Sequence, residues 1–119
     1  MTPLQAIASH VAGYTYRFDT EADLQAGLDQ VLSGAFACDR EFRLDSKNRP
    51  DFVITLDGCR IAVEVKVAGS LPQLARQVLR YSEHVDGVVV VTSRSSHLGL
   101  PSTLGGVPVV VVHLGASLL

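Results

Sequence analysis

Asp57-Gly58 stands between two apolar runs, one reaching back to Pro50 and the other forward to Val67. A two-residue type I′ turn needs two residues that tolerate positive φ, and Asp-Gly is among the strongest hairpin signals a sequence carries. The turn also sets the register. Leu56 faces Cys59, so partners sum to 115: Thr55 faces Arg60, Val53 faces Ala62 and Asp51 faces Glu64. Directly opposed side chains on one sheet face have Cβ atoms about 4.5–5.5 Å apart. Strand alternation adds Lys66 to that face, two residues beyond Glu64. A bulge would break the register, and nothing in the two runs signals one.

Two carboxylates held that close repel by roughly 3 kcal/mol at an effective dielectric of ~20, a large cost against the stability of a small domain. A divalent cation, the Lys66 ammonium or protonation of one acid must offset it. Oxygen ligands from two acids suit magnesium, which keeps several waters and takes further ligands from phosphate. The alternative is a solvated Asp–Glu–Lys patch. Phe52, Ile54, Ala62, Val63, Val65 and Val67 around it favour central strands instead.

The remaining elements follow from periodicity and caps. Pro3 to Ala12 predicts a short helix with Leu4, Ile7, Ala8 and Val11 on one face, ended by Gly13. Thr20 and Asp23 resemble a capping box for a helix through about Leu32, with Leu24, Leu28, Val31 and Leu32 as its stripe. Phe36 to Leu44 predicts a strand, Asp45 to Arg49 a polar turn, and Pro50 to Leu56 and Cys59 to Val67 the hairpin. Ser70 caps a helix expected to run to about His84, with Leu71, Leu74, Val78 and Val85 buried. Gly87 to Thr92 is a continuous apolar strand, buried on both faces. Ser93 to Gly106 reads as loop with at most one helical turn, and Val107 to Leu114 as the last strand. A hairpin sheet followed by a strand–helix–strand crossover predicts one mixed α/β sheet flanked by helices.

Three further groups of residues carry weight. With Leu24 at 0° on a helical wheel, Glu21 falls at about 60°, inside the apolar stripe. It is either a third acid beside the pair or a first-turn acid favoured by the helix dipole and open to water. Gln77 and Tyr81, spaced i, i+4 on the edge of the later helix's stripe, either reach the acid pair or bound nucleic acid, or simply pack on the sheet. Arg76 and Arg80, also i, i+4, fall on the opposite face, either contacting phosphate or, as the readier expectation, simply solvated. His10, His84, His97 and His113 show no metal-ligand spacing and are expected to be structural or surface residues.

Composition bounds the function classes. The 119 residues, 47 % of them hydrophobic, fit one domain spanning 1–119 with a core over about 19–114. Cys38 and Cys59 lack metal-ligand spacing and are expected to be reduced thiols in a cytoplasmic protein. No apolar run approaches the roughly 20 residues of a membrane helix. Met1-Thr2-Pro3-Leu4 has no basic segment of a signal peptide. The net charge of −2 supplies no bulk attraction for nucleic acid. From residue 40 onward, however, nine basic residues meet seven acidic ones, so any phosphate-facing surface is expected in the later segments.

These residues resemble the PD-(D/E)XK nuclease superfamily. The motif is written here as Pro50-Asp51, then Glu64-Val65-Lys66 after a short hairpin, in an element order similar to the restriction-endonuclease-like α-β-β-β-α-β core. Glu21 matches an acid many members carry in the preceding helix, and Gln77-Val78-Leu79-Arg80-Tyr81 is similar to the Gln-x-x-x-Tyr motif of RecB-like members. The resemblance covers roughly residues 19 to 92 and implies hydrolysis of phosphodiester bonds, chiefly of DNA, with Mg²⁺ or Mn²⁺. Asp51, Glu64, the Val65 carbonyl and Glu21 would hold the metal, Lys66 would activate water, Gln77 would assist, and Tyr81 and Arg49 would contact nucleic acid. A catalytically silent module of the same fold, binding nucleic acid or protein, is the alternative. Small members include Holliday-junction resolvases. The acidic balance, with Lys47 and Lys66 as the sole lysines, departs from that type.

The last strand, Val107 to Leu114, carries almost no polar side chains. Edge strands are usually protected by charge, bulges or short length. It must therefore be central, covered by the first helix, or buried against a second copy. A two-fold homodimer is the expectation, and a monomer whose own helices cover the strand is the alternative.

Overall fold

A computed structural model describes residues 1–115. Its elements are α1 (Pro3–Ala12), α2 (Glu21–Ser33), β1 (Ala37–Arg40), β2 (Phe52–Leu56), β3 (Cys59–Lys66), α3 (Leu71–Tyr81), β4 (Gly87–Thr92), a 3₁₀ turn (Ser95–Gly99), β5 (Thr103–Leu104) and β6 (Val107–His113). Each α-helix starts with a reciprocal capping box: Thr2 with Gln5, Thr20 with Asp23, and Ser70 with Gln73. In each, the cap side chain accepts from the third helical N–H and the third side chain accepts from the cap N–H, so two otherwise orphaned donors are satisfied. Pro3 and Pro72 fall in first turns, where a missing N–H costs no bond.

The six strands form one mixed sheet in the order β1-β2-β3-β4-β6-β5. The β1–β2–β3 part is antiparallel, and β3, β4 and β6 run parallel. The hairpin has the expected register, from Leu56↔Cys59 to Phe52↔Val63. Asp57 and Gly58 take φ 52° and 76°, as a type I′ turn requires. Strand β4 is buried along all six residues, because helices lie on both faces. Phe52, Ile54, Ile61, Val63 and Val65 pack with α1 and α2. Ala62, Val88 and Val90 pack with Leu74, Val78 and Tyr81 of α3 on the other face. Leu4, Ile7 and Val11 of α1 are core residues, so the core begins well before residue 19. Among the described residues, no helix is long and apolar enough to cross a membrane.

Several boundaries differ from expectation. The strand expected over 36–44 is the four-residue β1. It stops because Glu41 turns the chain with φ 53°, while its N–H still bonds the Asp51 carbonyl at 2.8 Å. β2 starts at Phe52 rather than Pro50. The pairing 50/65 would be the next hydrogen-bonded pair of the ladder, and Pro50 has no N–H to offer. Helix α3 ends at Tyr81, not near His84; after it the Ser82 hydroxyl donates to the Leu79 carbonyl. The 93–106 segment, expected to be loop, contributes both the 3₁₀ turn and β5.

β6 lies one strand in from the sheet edge, but β5 pairs only with Val107 and Pro108. Its apolar side chains are met within the chain: Val110 and Val112 join the α1 side, and Val107, Val109 and Val111 join the α3 side. That is the single-chain cover set against the homodimer above, and it accounts for the strand's composition without a second copy.

The Asp57-Gly58 turn gives the first prediction. A Cβ on Gly58 would meet nothing within 4 Å, so Gly58→Ala tests backbone conformation alone. An L residue forced into the left-handed region costs about 1–2 kcal/mol. Urea unfolding should show a loss of that size with an unchanged m-value; a loss within experimental error would show that this turn does not hold the register.

Candidate active site

The end of the hairpin remote from the turn is where side chains replace ladder bonds. Because Pro50 ends the pairing, the Val65 N–H donates to Asp51 Oδ2 at 2.7 Å. The Asp51 N–H donates to Glu64 Oε1 at 3.3 Å. Proline likewise cannot return a bond to the Val65 carbonyl. The two carboxylates therefore meet at one strand end, as the register required, with Lys66 Nζ 3.3 Å from Glu64 Oε2.

Glu64 faces the α3 side of the sheet and is only 4 % exposed. The Tyr81 hydroxyl donates to Glu64 Oε1 at 3.1 Å, and Gln77 Nε2 donates to the Tyr81 oxygen at 3.0 Å. The i, i+4 spacing thus forms a relay onto the acid, and Tyr81 also packs on the sheet, so both readings hold for that residue. Tyr81 is 2 % exposed; its ring is a core group of the α3 face, and its hydroxyl is committed to Glu64. As an expected nucleic-acid contact it can offer a strand little beyond the cleft wall it forms. Arg49 is exposed on the same cleft.

Glu21 lies on α2, which packs on the opposite sheet face, but its position in the first turn brings it to the end of β3. Its Oε1 accepts from the Val67 N–H at 3.3 Å, and its charge raises the Asp51 pKa. It is half-buried. Among the described residues no group of three or more His, Cys, Asp or Glu is arranged to hold one ion; Glu21 stands beside the acid pair at the end of β3. Sequence reasoning missed Gln25, whose Nε2 donates to Asp51 Oδ1 at 2.9 Å. The available signal was its i, i+4 spacing from Glu21, which puts both polar groups on one side of the α2 stripe.

Arg76 and Arg80 are exposed, as expected, and Arg80 is also tied to another segment. Its Nε donates to Asn48 Oδ1 at 3.2 Å, and with Arg76 it lines a cleft beside Lys66. The solvated face thus also forms one wall of that cleft. Asn48 is itself held by Asp45, which accepts from its backbone and side chain and pairs with His84 at 2.9 Å. Of the other histidines, His97 is fully buried. It bonds the Thr92 hydroxyl through Nδ1 at 2.6 Å and the Gly69 carbonyl through Nε2 at 2.9 Å, a structural role as expected.

The electrostatics record a charge deficit. Burial pushes the Asp51 carboxyl up, the Val65 N–H opposes this, and Glu21 adds to the rise. Burial pushes Glu64 up further, Asp51 adds to it, and Lys66 pulls it back. One ammonium thus faces three carboxylates. Buried Glu64, half-buried Asp51 and a main-chain carbonyl supply the hard oxygen donors a magnesium-type ion takes when it keeps several waters, so the donor set fits such an ion without a full protein cage.

A pH dependence follows. Acids whose folded-state pKa is raised stabilise the fold most below their unfolded pKa, and that stability is lost as pH rises through the raised value. In chelator, the protein should therefore lose stability between about pH 4, the unfolded carboxyl range, and neutrality. Glu64→Gln should flatten that slope, with a melting temperature above wild type at pH 8 by roughly 4 °C for each kcal/mol relieved. Parallel melting curves for the two proteins across this range would refute the charge deficit.

No family model matches the chain, and no curated protein or solved structure matches it, so the chemistry of this site rests on its own geometry.

Proposed function

We propose that the chain is a metal-dependent nuclease of the PD-(D/E)XK type with a restriction-endonuclease-like core, hydrolysing phosphodiester bonds of nucleic acid, DNA in the first instance. The observation that carries the reading is the convergence of Asp51, buried Glu64 and Lys66 at the end of the sheet where the hairpin ladder stops. Asp51, Glu64 and the Val65 carbonyl would hold Mg²⁺ or Mn²⁺. Such an ion supplies Lewis-acid stabilisation of phosphoryl charge and lowers the pKa of water.

The chain's own residues then have distinct tasks. The Lys66 ammonium positions the attacking water and meets negative charge building on the phosphate oxygens, an effect that is strong in a site shielded from water. Tyr81 and Gln77 are positioning residues that hold Glu64 Oε1 in one orientation. Gln25 and the Val65 N–H do the same for the two oxygens of Asp51. Glu21 adds negative potential beside Asp51 and so favours a cation there. Assembly is a separate proposal: a two-fold homodimer would present two sites to one duplex. Light scattering at micromolar concentration reads it, since the chain alone weighs 12.7 kDa and a dimer twice that.

The deciding experiment is a cleavage assay with Mg²⁺ and with Mn²⁺ on single-stranded, duplex and branched DNA, with RNA alongside. Cleavage of at least one substrate is expected. Lys66→Ala should lower the rate by roughly 10²-fold or more while circular dichroism shows the fold retained. Asp51→Asn should abolish thermal stabilisation by the metal. Undiminished turnover in Lys66→Ala would move the site elsewhere, and a folded wild type that cuts nothing would refute the nuclease reading in favour of a silent module of this fold.

A further inference from the structure

Two clefts share a wall on α3. The first, between the β3–α3 connection and α3, is lined by Lys66, Gly69, Ser70, Arg76, Gln77 and Arg80. The second, between the 43–49 segment and the same helix, is lined by Arg43, Lys47, Arg49, Gln77, Arg80 and Tyr81. Gln77 and Arg80 belong to both walls. Glu64 connects them chemically, since Oε2 pairs with Lys66 of the first cleft and Oε1 accepts from Tyr81 of the second.

The charge distribution is the second observation. Six of the chain's ten Lys and Arg side chains line these two clefts, in a protein of net charge −2, and neither lining includes an acid. The acid of the neighbouring turn, Asp45, is spent on Asn48, the Lys47 N–H and His84. The Arg80–Asn48 bond holds the 43–49 segment against α3, so the two clefts keep a common wall. Cations concentrated this way in an otherwise acidic chain attract a polyanion locally without bulk charge.

We infer that the two clefts are halves of one track for a single nucleic-acid strand, binding phosphates on both sides of the one at the acid pair. The inference rests on the nuclease reading above and deepens it. A strand held on both sides of the reacting phosphate is cut internally, so the action is endonucleolytic and needs no free end.

The test uses the wild-type chain and two exposed-site variants, Arg76→Gln in the first cleft and Arg49→Gln in the second. In chelator, fluorescence anisotropy with an internally labelled, closed single-stranded DNA circle should show salt-dependent binding. Each variant should lower the log–log salt slope by about 0.7, one phosphate contact on a single strand, and the double variant by about twice that. With Mg²⁺ or Mn²⁺, the circle should be opened as readily as a linear strand of the same sequence is cut. An unchanged slope in either single variant would overturn the two-sided track. Cleavage of the linear strand with an intact circle would overturn internal cutting and leave the nuclease reading standing. If neither DNA is cut, internal cleavage of a single strand falls, the nuclease reading stands or falls with the duplex, branched and RNA arms of the assay above, and the salt slopes decide whether the two clefts form one binding track.

Discussion

The burial of Glu64 beside Asp51 is the constraint around which this end of the molecule is arranged. A carboxylate under α3, with a second one at the neighbouring strand end, is tolerated only if every lone pair and the excess charge are met. Tyr81, Lys66 and the Asp51 N–H satisfy the Glu64 oxygens, and Gln25 and the Val65 N–H satisfy those of Asp51. Removing any one of these donors would leave a desolvated acid short of a partner. The surplus negative charge stays, and that surplus makes the place suited to a cation.

Three elements are recruited by that requirement. The hairpin brings the two acids together, α3 supplies the relay from Gln77 through Tyr81, and the first turn of α2 supplies Gln25 and Glu21. The two helices lie on opposite faces of the sheet, so they can converge only at a strand end, where the ladder stops. Pro50 creates that end. By lacking an N–H it leaves the Val65 carbonyl without a ladder donor, and the Val65 N–H bonds the Asp51 side chain, so a side-chain contact stands where the backbone ladder stops. The stability of the sheet is invested elsewhere, in the all-buried β4 and the two apolar clusters against it.

The same helix links the acid pair to the basic clefts. One side of α3 buries Leu74, Val78 and Tyr81, its edge carries Gln77, and its outer side carries Arg76 and Arg80. Amphipathic periodicity thus sorts core, relay and cation onto three adjacent sectors. Arg80 then reaches Asn48 and joins the helix to a segment more than thirty residues earlier in the chain, which forms the opposite bank of the second cleft.

Local chemistry in the sequence determined the hairpin, its register, the placing of Glu64 and Lys66 on one strand face, the three capped helices and the buried β4. Each depends on near neighbours: two residues that accept positive φ, strand alternation, or a cap three residues from its partner. Tertiary structure decided what those rules do not reach. The early ends of β1 and α3 depended on a left-handed Glu41 and on the turn after Tyr81. Glu21, placed by the wheel inside its stripe, turned out to meet a main-chain N–H at the end of β3, because the first turn of a packed helix overhangs the sheet. Gln25 on Asp51 and Arg80 on Asn48 join residues 26 and 32 positions apart. Such pairings arise only when separate elements dock, since periodicity specifies which side of a helix a residue occupies and not which group of another element it will meet.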